Sequence, residues 1–121
     1  MKYVLLIYES AAEFDARAGK DRAAFWGAWK SYADALKHAG VMAGGSGLEP
    51  PSTGTTVRPR DGERTVQDGP YADTKEQLGG FFILDVPDLD AAIDWASRCP
   101  VKGGAVEVRP ALTGGLTQSA P

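Results

Sequence analysis

Two runs of side chains fix most of what this chain can become: Tyr3-Val4-Leu5-Leu6-Ile7-Tyr8, and the stretch from Phe81 to Val86. Both are rich in β-formers and lack the alternation of a half-exposed strand. Such runs read as strands buried on both faces. A chain with two of them needs cover for two sides of one sheet, and the rest of the sequence must supply it.

Helical cover is visible twice. From about Asp21, Phe25, Ala28, Trp29, Tyr32, Leu36 and Ala39 recur on one helical stripe, with Lys30, Asp34 and Lys37 off it, and Gly40 supplies the stop. Trp26 stands at the edge of that stripe, placed either to roof a pocket or to extend the core. His38 falls off the stripe near the helix end, where a charge–dipole contact explains it better than catalysis does. A second helix starts at the N-cap Asp88, buries Leu89, Ala92, Ile93 and Ala96, and stops at Pro100. Trp95 points away from that stripe. Between the first strand and first helix, residues 9–19 are mixed and read as a loop with room for one helical turn.

The remaining segments are β-prone. Residues 41–51 form a weak, glycine-laden strand ending at Pro50-Pro51; without a following Lys-Ser/Thr or helix, its glycines make no phosphate loop. Thr55–Arg58 and Arg64–Gln67 flank Asp61-Gly62, a hairpin signal, and their polar side chains describe a solvated ribbon. Ala105–Arg109 alternates as a closing strand. Thr113–Pro121 carries Gly, Ser, Thr and Pro without period and reads as a mobile tail, leaving one domain over residues 1–112.

The order is β-α-β-β-α-β, an α+β, ferredoxin-like arrangement with an inserted β-hairpin. Two helices cover one face of four strands. The other apolar face calls for a second copy of the chain, so patterning alone points to a homodimer with sheets face to face. At 121 residues with a formal charge of −3, the chain lacks the basic excess of a nucleic-acid-binding surface. Its one Cys and one His exclude an internal disulfide and argue against a metal centre. The apolar run at residues 3–8 is too short for a signal segment or a membrane span, which makes the cytoplasm the expected location. No cofactor fingerprint is present, so none is expected.

The richest chemistry lies in Asp68-Gly69-Pro70-Tyr71-Ala72-Asp73-Thr74-Lys75-Glu76-Gln77-Leu78-Gly79-Gly80. Two readings stand side by side. In the structural one, Asp68-Gly69-Pro70 is a tight turn, Asp73 and Glu76 form a capping box opening one helical turn, and Gly79 ends it. In the functional one, the segment lines the mouth of a cavity. Asp68 or Glu76 then serves as general base, Lys75 steadies an anionic intermediate, and Tyr71, Thr74, Tyr8 and Trp26 contact a small-molecule ligand. Proton abstraction or isomerisation next to a carbonyl suits that set.

The same run, continued by Phe81-Phe82, resembles the signature of the DGPF proteins, a branch of the YCII-related family. Met1–Tyr8, Ala39-Gly40-Val41, Asp88–Ala96, Arg98-Cys99-Pro100 and Val106–Pro110 extend the likeness over residues 1–111. The resemblance implies a dimeric α+β barrel, similar in fold to small-molecule isomerases and monooxygenases. It also implies an association with extracytoplasmic-function sigma factors, hence an alternative role as a non-catalytic regulatory module without direct DNA contact. A His–Asp pair has been proposed as the active site of the shorter YCII branch. This chain departs there, because its single histidine is His38.

Overall fold

The computed structural model describes residues 1–114. Strand β1 (Lys2–Ser10) leads through helix α1 (Ala11–Ala16) and helix α2 (Arg22–His38) to β2 (Met42–Gly47). A single 3-10 turn at Pro51–Thr53 precedes the ribbon strands β3 (Thr55–Arg60) and β4 (Glu63–Asp68). Then come β5 (Glu76–Asp85), α3 (Leu89–Ser97) and β6 (Ala105–Pro110). The chain is thus a mixed α+β structure. Its main sheet runs β2-β5-β1-β6 with antiparallel pairs throughout, and β3-β4 forms a separate two-stranded sheet.

The continuous apolar run of β1 resolves into two faces. Tyr3, Leu5, Ile7 and Glu9 are buried, while Val4, Leu6, Tyr8 and Ser10 between them are half-buried. Of the first set, Tyr3, Leu5 and Ile7 join Tyr32 and Leu36 of α2, Ala92 of α3, and Leu84 and Val86 in the core. An aromatic lattice ties the layers together. Trp29 and Phe82 stack at 6.3 Å, and Tyr32 meets Phe82 and Trp95 edge-on at 5.5 and 6.4 Å. The Tyr32 hydroxyl donates to the Trp95 carbonyl at 2.7 Å, so its polar tip is satisfied on burial. Val4 and Leu6 pair across the sheet with Ile83 and Phe81 and form the face turned away from the helices.

The structure corrects four local readings. Residues 9–19 are no simple loop: Glu9 and Ser10 complete β1, and α1 follows with a full capping box between Ser10 and Glu13. The helical turn expected at Asp73 does not form; the chain bends there and enters β5 at Glu76, so Gly79 lies inside a strand. The Leu-Gly-Gly-Phe-Phe run that follows is strand material, and pairing with β1 wins over a local cap. On α3, Leu89 and Ile93 are exposed and Trp95 packs against the core. The small Ala92 sets that face, letting the helix lie close with Trp95 and Ala96 turned inward. Ala28 of α2 and Ala39 at its C-cap are likewise exposed, and the buried stripe narrows to Tyr32 and Leu36.

The ribbon turns at Asp61-Gly62, with Gly62 at φ 72° in the left-handed region that glycine favours. His38 is exposed at the end of α2. The expected tail lies outside the described residues from position 115 onward. Among the described residues no helix is long and apolar enough to cross a membrane.

Candidate functional site

β1 continues its buried phase one residue too far for an apolar strand. After Tyr3, Leu5 and Ile7 the next inward position is Glu9, whose side chain is only 3% exposed. Arg17, at the C-cap of α1, reaches it: Nη2 donates to Glu9 Oε1 at 2.9 Å. The same guanidinium donates to the carbonyls of Leu48 and Gly79, which ties the end of β2 to β5. Its face lies over Phe14 at 4.7 Å and Trp26 at 5.5 Å. Trp26 in turn donates its indole N–H to the Arg17 carbonyl at 2.9 Å. Arg17 is therefore held through both terminal nitrogens and against two aromatic rings.

The double glycine makes this arrangement possible. Ile7 pairs with Gly80 and Tyr8 with Leu78, so Gly79 is the extra residue of a β-bulge. A Cβ on Gly79 would overlap Glu9 Oε1, and one on Gly80 would sit 2.9 Å from the Ser46 carbonyl oxygen. The missing side chain at Gly79 is the space that the buried carboxylate occupies.

Beside this pair, between α2 and the β2–β5 edge, is a cavity of about 340 Å³. Phe25, Trp26, Trp29, Met42 and Phe82 give it apolar walls, Gly45, Gly79 and Gly80 line its sheet side, and Glu9 and Arg17 form its polar end. Two atoms of that end are buried with no hydrogen-bond partner: Glu9 Oε2 and Arg17 Nε. Buried polar atoms are rarely left so. Burial drives the Glu9 carboxyl above its ordinary value of 4.5; the bond and charge of Arg17 pull it back in part, and the nearby negative Glu13 adds to the rise. A carboxyl of this kind is suited to taking and returning a proton.

Four residues on, Glu13 is also buried, yet fully satisfied. Its Oε1 accepts from Ser10 N, Ser10 Oγ and Gly103 N, and its Oε2 from Lys102 N, at 3.0–3.2 Å. Burial alone would raise this carboxyl, but those bonds together hold it below 4.5. Cys99 is equally unpromising as a reactive group: burial pushes its thiol up to about 11, which keeps it protonated. Among the described residues no group of three or more His, Cys, Asp or Glu is placed to hold a metal ion.

The residues singled out from the sequence separate into three places. Trp26 lines the 340 Å³ cavity, 46% exposed as its outer wall. Tyr8, Tyr71, Thr74 and Glu76 lie along a second groove of about 500 Å³, whose other walls include Pro50, Pro51 and Pro70. There the Thr74 hydroxyl donates to the Glu76 carbonyl at 2.6 Å, and Tyr71 lies under the Arg58 guanidinium at 5.1 Å. Asp68, at the end of β4, and Lys75 line neither space, and Asp68, Lys75 and Glu76 are all exposed. The desolvation that a base at Asp68 or Glu76 needs is not supplied within one chain. Glu9 and Arg17 escaped the sequence reading. The available signal was phase: Glu9 continues the odd-numbered positions of an apolar strand.

The model of the YCII-related domain matches residues 1–113 of this chain. An uncharacterised protein of Rhizobium meliloti (strain 1021) is 43% identical over 75 residues. The match covers 60% of this chain and 60% of that protein, so the chain spans less than two thirds of the relative's length.

Proposed function

The chain belongs to the YCII-related domain family, and from that premise we propose that it binds a small, largely apolar molecule between α2 and the sheet and moves a proton on it without a cofactor. The observation that carries this reading is Glu9: a buried carboxyl with one oxygen unpartnered, at the polar end of an aromatic cavity. Glu9 takes and returns the proton, and the Arg17 Nε–H receives the oxygen on which charge develops. Trp26 closes the outer side and limits water.

The finer architecture belongs to the same proposal. The strand order β2-β5-β1-β6 supports a ferredoxin-like unit. Val4, Leu6, Phe81 and Ile83, on the face away from the helices, support a homodimer closed into an α+β barrel by a second copy. Sedimentation tests the assembly: a dimer at micromolar concentration agrees with it, and a stable monomer refutes it.

The other reading, an interaction module in a sigma-factor pathway, has one observation in its favour. The ribbon exposes the cross-strand pair Val57 and Val66, and a two-stranded ribbon gains stability from cover.

Deuterium exchange separates the two. An enolisable ring ketone such as 2-tetralone is incubated in D2O with the protein, and wild type exchanges it on the order of 100-fold faster than Glu9→Gln. Equal rates remove Glu9 from the chemistry. Ligand-induced NMR shifts confined to Tyr71, Thr74 and Glu76 would instead move the site to the connector, with Asp68 and Lys75 as its neighbouring charges.

A further inference from the structure

The two unpartnered atoms at the polar end of the cavity differ in kind. Glu9 Oε2, as a carboxylate oxygen, only accepts hydrogen bonds, and Arg17 Nε–H only donates. They sit on the same carboxylate and guanidinium that Oε1 and Nη2 join, so they are near neighbours without bonding each other. Within the pair the charges cancel, and the other charged residue on the lining, Lys30, is already paired with Asp34 at 2.7 Å, so an added net charge in this largely apolar cavity would stay uncompensated. Trp29 and Phe82 stack with planes 23° apart, and both line the cavity. Flat rings pack well on such walls. At about 340 Å³ the space is near the lower end for ligand sites, which suits one ring or two fused rings.

Resting on the reading of this cavity as a binding site, we infer that its ligand is a neutral planar ring whose edge carries a hydrogen-bond donor beside an acceptor, as a lactam or a hydroxyketone does. The donor meets Glu9 Oε2 and the acceptor meets Arg17 Nε–H. Other edges fit worse. A ring carboxylate brings two acceptors and a charge, leaving Glu9 Oε2 facing a second anion. A catechol brings two donors and leaves Arg17 Nε unmatched. A bare hydrocarbon satisfies neither atom, although a trapped water would then serve both.

The test uses wild-type protein and six probes, with Kd read from the NMR shift of the Trp26 indole N–H. The probes are 2-quinolone, N-methyl-2-quinolone, tropolone, tropolone methyl ether, naphthalene and 2-naphthoate. Methylation removes the donor and puts a methyl group in its place, and naphthalene, which has neither, separates loss of the donor from added bulk. At least one parent compound should bind roughly tenfold or more tightly than its own methylated partner and than naphthalene, as loss of a hydrogen bond to a charged group requires. Preference within the quinolone pair identifies a lactam edge, and within the tropolone pair a hydroxyketone edge. Glu9→Gln should erase the ratio; if that variant does not fold, the paired probes on wild type still decide.

Equal binding of parents, methylated partners and naphthalene would overturn the edge assignment while leaving the cavity a ligand site. Tightest binding by 2-naphthoate would overturn it in favour of an anion. No probe shifting Trp26 at any concentration would overturn the cavity reading itself, and this inference with it.

Discussion

Glu9 and Glu13 are four residues apart, both buried, both acidic, and opposite in every consequence. Glu13 has each oxygen bonded to backbone N–H groups, and it joins the start of α1 to the turn at Lys102 and Gly103. Glu9 has one oxygen on Arg17, one on nothing, and a cavity alongside. The same residue type at similar burial is held below its ordinary value in one place and pushed above it in the other. Hydrogen-bond satisfaction separates the two, and under the proposed function it also separates a structural acid from a chemical one.

The hardest test of that contrast removes the satisfied partner. Glu13→Gln places an amide NH2 against backbone donors and should cost about 3 kcal/mol, read from the urea midpoint, since buried unsatisfied groups near charge are expensive. A loss near zero would mean that the bonds around Glu13 are not what holds the α1 junction.

Next in size is Gly79→Ala. Its Cβ falls on Glu9 Oε1. Overpacking of this kind costs about 1–3 kcal/mol. The same change should abolish ligand binding by displacing the carboxylate. Unchanged stability and binding together would contradict the role given to the bulge.

The smallest stability effect belongs to Glu9→Gln, within about 1 kcal/mol near neutral pH, because a carboxyl raised on folding gains nothing from being ionised there and the glutamine oxygen can still accept from Arg17. Its pH dependence is the sharper signal. Glu9 is raised on folding, so wild type has its full contribution below 4.5 and loses it as pH climbs through the raised value. Glu13 is lowered, so its contribution is present above 4.5 and is lost as pH falls through the lowered value. Denaturant midpoints across pH should show Glu9→Gln gaining on wild type as pH rises. A constant difference would mean that folding does not raise the Glu9 carboxyl.

Much of the scaffold was legible because its signals are local. The apolar run at residues 3–8, the turn at Asp61-Gly62 and the cap at Asp88 each depend on neighbours within a few residues. The site was not, because its logic is long-range. Arg17 and Gly79 are 62 positions apart in the sequence, and nothing nearby tells why a strand should carry two glycines. Spacing misled as well. Asp73 and Glu76 have the separation of a capping box, but the box forms at Ser10 and Glu13, where helix-forming alanines follow and the Lys102 and Gly103 N–H groups add partners. The Asp73 segment instead runs into residues that complete β5.

The contrast between the two acids is tested most directly by a carbon-13 NMR titration of the glutamate side chains, with Glu9 assigned by its loss in Glu9→Gln. The Glu9 carboxyl carbon should titrate with a midpoint above 4.5 and the Glu13 carbon below it. A Glu9 midpoint at or below that of Glu13 would contradict the assignment of Glu9 as the proton-carrying group of the cavity.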